Sequence, residues 1–178
     1  MNLHFQDLIP STFSGNSRVW IYQGNRPFTL EETIRIEELL HDFSHSWLSH
    51  GARVKGFACV LFGQFIILMA DETSTGVSGC STDSSVRLVK SIEQDYNIQL
   101  FERTTLAFIY QQRIHLLPLS KLNDAMEEGV ITGDSLYFNN NVQTLDELLN
   151  KWIIPVKDSW LAARIHAVLP FDGSTLSI

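Results

Sequence analysis

The chain has 178 residues, of which 44% are hydrophobic and 19% are charged, so it has the apolar content of a folded core and is not disordered. Its net charge is −7, and its 13 Lys and Arg residues are scattered, which excludes the basic patch of a nucleic-acid binder and a polybasic membrane anchor. Two cysteines do not make a disulfide framework, and the N-terminal residues lack the pattern of a signal peptide. We therefore expect a cytoplasmic protein.

The first two thirds of the chain predict strands and helices in a recognisable order. The predicted bounds are 17–23 (strand), 30–50 (helix), 54–62 and 64–70 (strands), 81–97 (helix) and 104–110 (strand). Thr29 and Glu32 form a capping box at the start of the first helix, and Gly51 would end it. An apolar face recurs at helical spacing through Ile36, Leu40, Phe43 and Trp47. The βαββαβ order is typical of a ferredoxin-like plait in the α+β class.

The last third of the chain predicts mainly helices. A helix at 119–128 closes at Gly129, and residues 134–138 read as a short strand or a loop. A second capping box at Thr144 opens a helix that Pro155 should kink or split. Its apolar face continues through Val156, Trp160, Leu161, Ile165 and Val168. We therefore predict a single domain, 1–178, in which a C-terminal helical appendage, 116–178, packs on a plait core, 17–115.

The predicted strands carry apolar side chains on both faces. Val19 and Ile21 alternate with Trp20 and Tyr22, and a plait covers one face of its sheet only. We predict that residues after Pro118 cover the second face. The expected contacts are Trp152, Trp160 and Leu161, and a second copy of the chain would complete the cover, which makes the protein a candidate homodimer.

Three short stretches carry a resemblance to a known family. Residues 47–51, 70–72 and 79–85, the last reading Gly-Cys-Ser-Thr-Asp-Ser-Ser, resemble an uncharacterised bacterial family often filed as "ABC transporter ATPase". The resemblance covers most of 17–115 and implies no reaction. The filed name conflicts with the residues, because Gly51 and Gly56 are followed by Phe57 and Ala58 instead of the Lys-Ser or Lys-Thr of a phosphate-binding loop. We expect no ATP binding or hydrolysis.

The plait topology predicts one edge where reactive groups meet. His50, Asp71 and Cys80 should share that edge, together with Glu72, Asp83 and residues 112–115. Cys80 precedes a helix N-terminus, which favours a thiolate, and His50 or His115 would be its base. The alternative is that Cys80 is a small buried residue in a helix cap. For Gly79, just before it, a tight turn with positive φ is expected.

The same helix start is a candidate anion site. Its hydroxyls and free amides come from Gly79, Ser81, Thr82, Ser84 and Ser85. The alternative is ordinary capping by Ser81, and Asp83 would repel an anion. His41 and His45 are four residues apart on a helix but lack further ligands, so we predict no metal site.

Two functions from different classes fit these features. The first is a non-enzymatic binding or assembly module that self-associates and binds neither nucleic acid nor membrane. The alternative is a small enzyme or ligand-binding protein that uses Cys80 and the 79–85 helix start. The sequence leaves the cofactor, the small-molecule ligand and the substrate unknown, and it does not decide whether the protein is an enzyme.

Overall fold

The computed structural model describes residues 1–164. They fall into two compact units. The first unit consists of Met1–Arg103 and Asn140–Trp152, and the second of Thr104–Asn139 and the described residues 153–164. Ile165 and Val168, which were predicted to continue an apolar face, lie outside the described residues. No helix among the described residues is long and apolar enough to cross a membrane.

Strands and helices are mixed along the chain, which confirms the α+β class. In chain order the elements are β1 (Arg18–Gln23), α1 (Leu30–Ser46), β2 (Leu48–Ser49), β3 (Ala52–Arg53), β4 (Lys55–Leu61), β5 (Phe65–Asp71), α2 (Gly79–Tyr96), β6 (Thr105–Tyr110), β7 (Arg113–Pro118), α3 (Leu122–Glu127), β8 (Leu136–Phe138), α4 (Leu145–Lys151) and β9 (Ile153–Pro155). Short 3₁₀ helices lie at Gln6–Leu8, Leu119–Lys121 and Val156–Asp158.

The first unit contains a three-stranded antiparallel sheet of order β1-β5-β4. Its β4–β5 hairpin turns at Gly63, as predicted, where the glycine has φ 61°. The helices α1 and α2 supply Ile36, Leu40, Val89 and Ile92 to a core that also holds Tyr22 of β1. The predicted strand β1, the β4–β5 hairpin and the helices α1 and α2 are therefore confirmed.

The end of α1 differs from its prediction. The capping box is present, with the Glu32 N–H donating to Thr29 Oγ1 at 3.1 Å and the Thr29 N–H donating to Glu32 Oε2 at 2.8 Å. The helix stops at Ser46, not at residue 50, because Trp47 turns to an extended conformation and buries its indole. The following residues form the β2–β3 hairpin.

The start of α2 is also displaced from the prediction. Ser78, not Ser81, is the N-cap, and its Oγ accepts from the Ser81 N–H at 3.3 Å. Gly79 is therefore the first helical residue. Its φ is not positive, and a Cβ at this position would meet nothing within 4 Å. The expectation of a tight positive-φ turn at Gly79 is wrong. The helix ends at Asn97 in the left-handed conformation.

The ferredoxin-like plait is not confirmed. Its fourth strand, β6, pairs with β7 and β8 in the second unit, in a four-stranded sheet of order β7-β6-β8-β9. Gln111 and Gln112 both have positive φ, 47° and 60°, which is the geometry of a tight hairpin turn. This turn pairs β6 with the next segment of the chain, a pairing the sequence did not predict.

The C-terminal third is not a purely helical appendage. It contributes most of β7 and all of β8 and β9 to the sheet of the second unit, and β7 crosses the predicted boundary at 115/116. Thr144 caps helix α4 as predicted, but the helix ends at Lys151, and Pro155 ends a strand and does not kink a helix. The core of the second unit packs Phe108 and Tyr137 against Leu122 and Leu161.

The second face of the first unit's sheet is covered, as predicted. Val19 and Ile21 are only 4% and 3% exposed. Trp152 packs edge-on against Phe65 of β5, with ring centroids 5.2 Å apart, and Phe5 packs against Trp152 at 5.1 Å. The contribution of Phe5 was not predicted. Trp160 and Leu161 belong to the second unit, where Leu161 is buried and Trp160 is 44% exposed.

Candidate functional site

The outer edge of β1 exposes alternate backbone groups. The Gly24 N–H donates to the carbonyl oxygen of Gln64 at 2.8 Å, which fixes the phase of the β1–β5 ladder. Trp20 and Tyr22 then form hydrogen-bonded pairs with β5, because such pairs recur at every second residue of an antiparallel ladder. The N–H and C=O groups of Val19 and Ile21 consequently point away from β5.

The 140–144 segment covers this edge at its two ends. The Val19 N–H donates to the Gln143 carbonyl at 2.8 Å, and Arg18 and Thr144 form an isolated antiparallel bridge. At the other end, Asn140 Nδ2 donates to Gln23 Oε1 at 2.8 Å. Between these points the ladder is interrupted, because the Gln143 N–H donates to a carboxylate oxygen of α4 and not to Val19.

A cleft of about 690 Å³ opens along β1 where this pairing is interrupted. It is named the β1 cleft here, and its lining residues are Asn16, Arg18, Val19, Trp20, Ile21, Glu72, Arg103, Asn140, Asn141, Val142, Gln143 and Thr144. Within residues 1–164, no hydrogen bond reaches the C=O of Val19 or the N–H and C=O of Ile21. The cleft therefore contains an open stretch of strand edge.

Two arginines line the β1 cleft without a carboxylate partner. Neither Arg18 nor Arg103 forms an ion pair within the described part of the chain, and the guanidinium carbon of Arg18 lies 4.9 Å from the Trp20 ring centroid. Burial raises the pKa of Tyr22, and the positive charge of Arg103 partly offsets this rise. Phe101, two residues before Arg103, packs against the Tyr22 ring with centroids 5.3 Å apart, so Arg103 lies near the Tyr22 end of the cleft. Arg18 lies at the opposite end, beside the bridge to Thr144.

Glu72 is the one acidic residue among those that line the β1 cleft. It lies two residues beyond Ala70, the register partner of Arg18, and so belongs to the Arg18 end. Its Oε1 accepts from the Val77 N–H at 2.8 Å. The two ends of the cleft therefore differ in charge: one has an arginine with a glutamate, and the other has Arg103 alone.

The β1 cleft is lined by groups that can bind a polar or anionic ligand. The side-chain amides of Asn16, Asn140, Asn141 and Gln143 supply donors and acceptors, and the guanidinium groups supply positive charge. The lining residues include no cysteine, histidine or serine, the groups that most often act as nucleophile or general base.

Cys80 and His50 lie on two elements that touch. Cys80 is exposed at the second residue of α2, and His50 is exposed in the turn of the β2–β3 hairpin. Ser81 Oγ donates to the Leu48 carbonyl at 2.9 Å and joins the helix to the hairpin. No hydrogen bond joins Cys80 to His50 in residues 1–164. The alternative that Cys80 is a buried structural residue is wrong, and the buried cysteine is Cys59.

Asp71 is held by a structural network. Its carboxylate accepts from Lys55 Nζ at 2.7 Å, from Thr73 Oγ1 at 2.7 Å and from the Ser14 N–H at 3.3 Å. The hydrogen bond from Lys55, followed by that from Thr73, holds the pKa of Asp71 well below its usual value. The network occupies both carboxylate oxygens, and none of its donors is a histidine or a cysteine.

The predicted anion-binding hydroxyls are already engaged. Ser81 and Thr82 donate to the carbonyls of Leu48 and Ser78, and Ser84 and Ser85 donate to those of Ser81 and Thr82, at 2.7 to 3.1 Å. Their hydroxyl hydrogens point into the protein and not toward an anion. Gly79 adds no side chain, so only backbone amides are left at this helix start.

The remaining predicted groups are spread over the two units. Residues 112–115 belong to the second unit, where the His115 ring packs against Tyr110 at 5.5 Å. On α1 the rings of His41 and His45 lie 4.1 Å apart. In the described chain no group of three or more His, Cys, Asp or Glu residues could hold a metal ion.

The β1 cleft was not predicted from the sequence. One signal was available: a run of three asparagines at 139–141, directly before the capping box at Thr144, has no helical or strand periodicity. No protein-family model, curated protein or solved structure matches the chain.

Proposed function

We propose that the protein is a non-enzymatic binding module and that the β1 cleft takes up an anionic ligand. The observation that carries the proposal is the pair of guanidinium groups, Arg18 and Arg103, that line one cleft without an ion-pair partner in residues 1–164. The net charge of the protein is −7, so carboxylates are abundant elsewhere on the chain. Two arginines that lack a carboxylate partner beside an open strand edge indicate that an external anion supplies this partner.

We infer that the first unit is a ferredoxin-like plait without its fourth strand. The β1-β5-β4 order and the two helices that share the core face support this inference. In a complete plait the fourth strand pairs with β1. Here that place is taken by the 140–144 segment at its ends and by the cleft between them. The missing strand explains why the cleft lies where it does.

Nuclear magnetic resonance tests the proposed function. The ¹⁵N-labelled protein is titrated with citrate, with inorganic phosphate and with a hexapeptide library that has free carboxyl ends. We expect at least one probe to shift the amides of 18–23 and 140–144. The variant with Arg18→Gln and Arg103→Gln should lose these shifts, whereas Arg87→Gln, an exposed residue of α2 outside the cleft, should keep them. If none of the three probes shifted these amides, the proposal would be wrong.

The second candidate function is an enzyme that uses Cys80. The observation in its favour is the exposure of Cys80 at the start of α2, next to the hairpin that carries His50. Burial, followed by the charge of Glu37, raises the pKa of Cys59, so iodoacetamide should distinguish the two thiols. If Cys80 is a catalytic thiol, iodoacetamide should alkylate it faster than it alkylates free glutathione near neutral pH. The binding module predicts alkylation no faster than glutathione and unchanged ligand binding afterwards.

Self-association, a cytoplasmic location and the absence of ATP, nucleic-acid and membrane partners remain predictions. So does membership of the bacterial family that residues 79–85 resemble. Leu30 and Ile34, four residues apart on α1 and 78% and 51% exposed, offer an apolar strip to a second copy of the chain. Sedimentation of the wild type and of the Ile34→Glu variant would test this. The glutamate charge should dissociate a dimer that forms through this strip and leave any other dimer intact.

A further inference from the structure

We propose that the ligand of the β1 cleft is the carboxyl end of a polypeptide, bound in an extended conformation along β1. This inference rests on the proposed function and adds the chemical class of the ligand. It follows from three features of the cleft: the backbone groups that line it, the closure of its two ends and the unequal charge of those ends.

The backbone groups of β1 match an extended peptide. The C=O of Val19 and the N–H and C=O of Ile21 point into the cleft at strand spacing. An extended backbone presents donors and acceptors at the same spacing and can add to such an edge as a further strand. Citrate and phosphate present mostly acceptors, with only one or two hydroxyl donors, so they do not match the alternating donor and acceptor groups of a strand edge. A peptide satisfies the whole edge.

The ends of the β1 cleft favour a chain terminus over a continuous chain. One end is closed by the bridge between Arg18 and Thr144. The other is closed by the hydrogen bond from Asn140 to Gln23, and the indole N–H of Trp152 holds the Asn140 side chain at 3.0 Å. Because both ends are closed, a peptide can enter the cleft only from its solvent side. A chain end has to cross that side once, whereas a continuous chain would have to enter and leave through it.

Charge then decides which way the peptide runs. Glu72 lies at the Arg18 end and would repel a terminal carboxylate there, whereas none of the lining residues at the Tyr22 end is acidic. The terminal carboxylate therefore meets Arg103, whose guanidinium can bind it through two parallel hydrogen bonds. With its carboxyl end at this position, the peptide runs parallel to β1.

A paired peptide library tests the terminal carboxylate. Random hexapeptides are synthesised once with a free carboxyl end and once with a carboxamide, and both sets are tested for binding to the full chain. We expect the free-acid set to yield binders and their amides to bind about tenfold to a hundredfold more weakly, because a charge-assisted hydrogen bond is lost. On binding, the Ile21 amide should become protected from hydrogen exchange.

Two variants locate the carboxylate. Arg103→Gln should weaken the selected peptide more than Arg18→Gln does, Arg103→Lys should restore part of the loss, and Arg87→Gln should have no effect. Equal affinity of acids and amides, or unchanged exchange at Ile21, would overturn the inference. If citrate or phosphate bound and no peptide did, the inference would fail and the proposed function would stand. If no probe bound, both would fail.

Discussion

The two edges of the three-stranded sheet in the first unit are protected in different ways. At the β4 edge, Glu37 of α1 accepts the Val60 N–H at 2.6 Å, and the ring of Trp47 lies against Gly56. At the β1 edge, the 140–144 segment makes contact at two points and leaves Ile21 open between them. Exposed edges invite pairing with other chains, so proteins normally cover them. The β1 edge is the one at which we propose that a ligand binds.

The largest expected effect comes from removing Trp47 at the β4 edge. Its indole is 2% exposed, and its N–H donates to the Ser81 carbonyl at 3.0 Å. Trp47→Ala should lower the free energy of unfolding by about 3–5 kcal/mol, because it leaves a cavity and removes a buried hydrogen bond. Urea unfolding followed by circular dichroism measures the loss. Ile34→Ala, at a half-exposed position of α1, should cost far less, and similar losses would contradict the role of Trp47.

Gly56 explains how closely Trp47 approaches β4. A Cβ at this position would lie 2.8 Å from an indole carbon of Trp47. Gly56→Val should therefore destabilise the protein by about 1–3 kcal/mol through overpacking. In the double variant with Trp47→Ala this additional cost should nearly disappear, since the ring that clashes is gone. Additive costs in a double-mutant cycle would show that the two residues do not touch.

Asp71 connects the β4 strand to the chain that precedes β1. Because the hydrogen bond from Lys55 lowers its pKa, the native state keeps the carboxylate ionised at a pH where the unfolded chain, with an ordinary value of 3.8, takes up a proton. The stability that Asp71 provides is therefore complete above pH 3.8 and declines as the pH falls further. Asp71→Asn should cost about 1.5–3 kcal/mol near pH 7 and flatten the acid part of the stability profile.

Urea titrations of wild type and Asp71→Asn, repeated from neutral to acid pH, measure this contribution. The difference between the two proteins should shrink as the pH falls below 3.8. Asp83→Asn, an exposed change on α2, should leave stability near pH 7 within about 0.5 kcal/mol. A constant difference at every pH would show that Asp71 does not act through its charge.

Glu37 covers the Val60 N–H of the β4 edge with a single hydrogen bond. Glu37→Ala removes the acceptor of the Val60 N–H and should cost about 1–2 kcal/mol, since the side chain is only half-buried. Glu37→Gln keeps an acceptor oxygen and should cost less. Amide exchange at Val60 should accelerate in the alanine variant and not in Glu38→Gln. If the exchange rate at Val60 did not change, another group would have to cover this edge.

The smallest effect on stability is expected at the open edge. Arg18→Gln and Arg103→Gln together should change the free energy of unfolding by no more than about 1 kcal/mol, because each arginine is exposed and lacks an ion pair in residues 1–164. A larger loss in thermal or urea unfolding would mean that these arginines stabilise the fold and are not kept for a ligand.

Local patterns predicted most of the first unit. The capping box at Thr29, the alternation of β1 and the hairpin at Gly63 are signals between neighbouring residues, and each is confirmed. The sheet that β6 joins could not be predicted from such local signals. Its apolar pattern fits either sheet, and its assignment depends on the Gln111–Gln112 turn, whose two non-glycine residues with positive φ give no clear sequence signal.

The β1 cleft was missed for the same kind of reason. It exists because the 140–144 segment returns to β1 across more than a hundred residues of chain and then diverges from it. Neither Arg103 nor Asn140 stands in a recognisable motif. By contrast, Cys80 and the serines after it were conspicuous in the sequence, and their hydroxyls are engaged in capping and helix contacts.

Native-state amide exchange of the ligand-free protein tests the central claim most directly. Trp20 and Tyr22 donate to β5, and Val19 donates to Gln143, so their amides should exchange slowly. The Ile21 amide, in the same strand and between them, should exchange far faster, because it faces the cleft without a protein acceptor. If Ile21 exchanged as slowly as Trp20 and Tyr22, the edge would be covered, and the account of an open site on β1 would be contradicted.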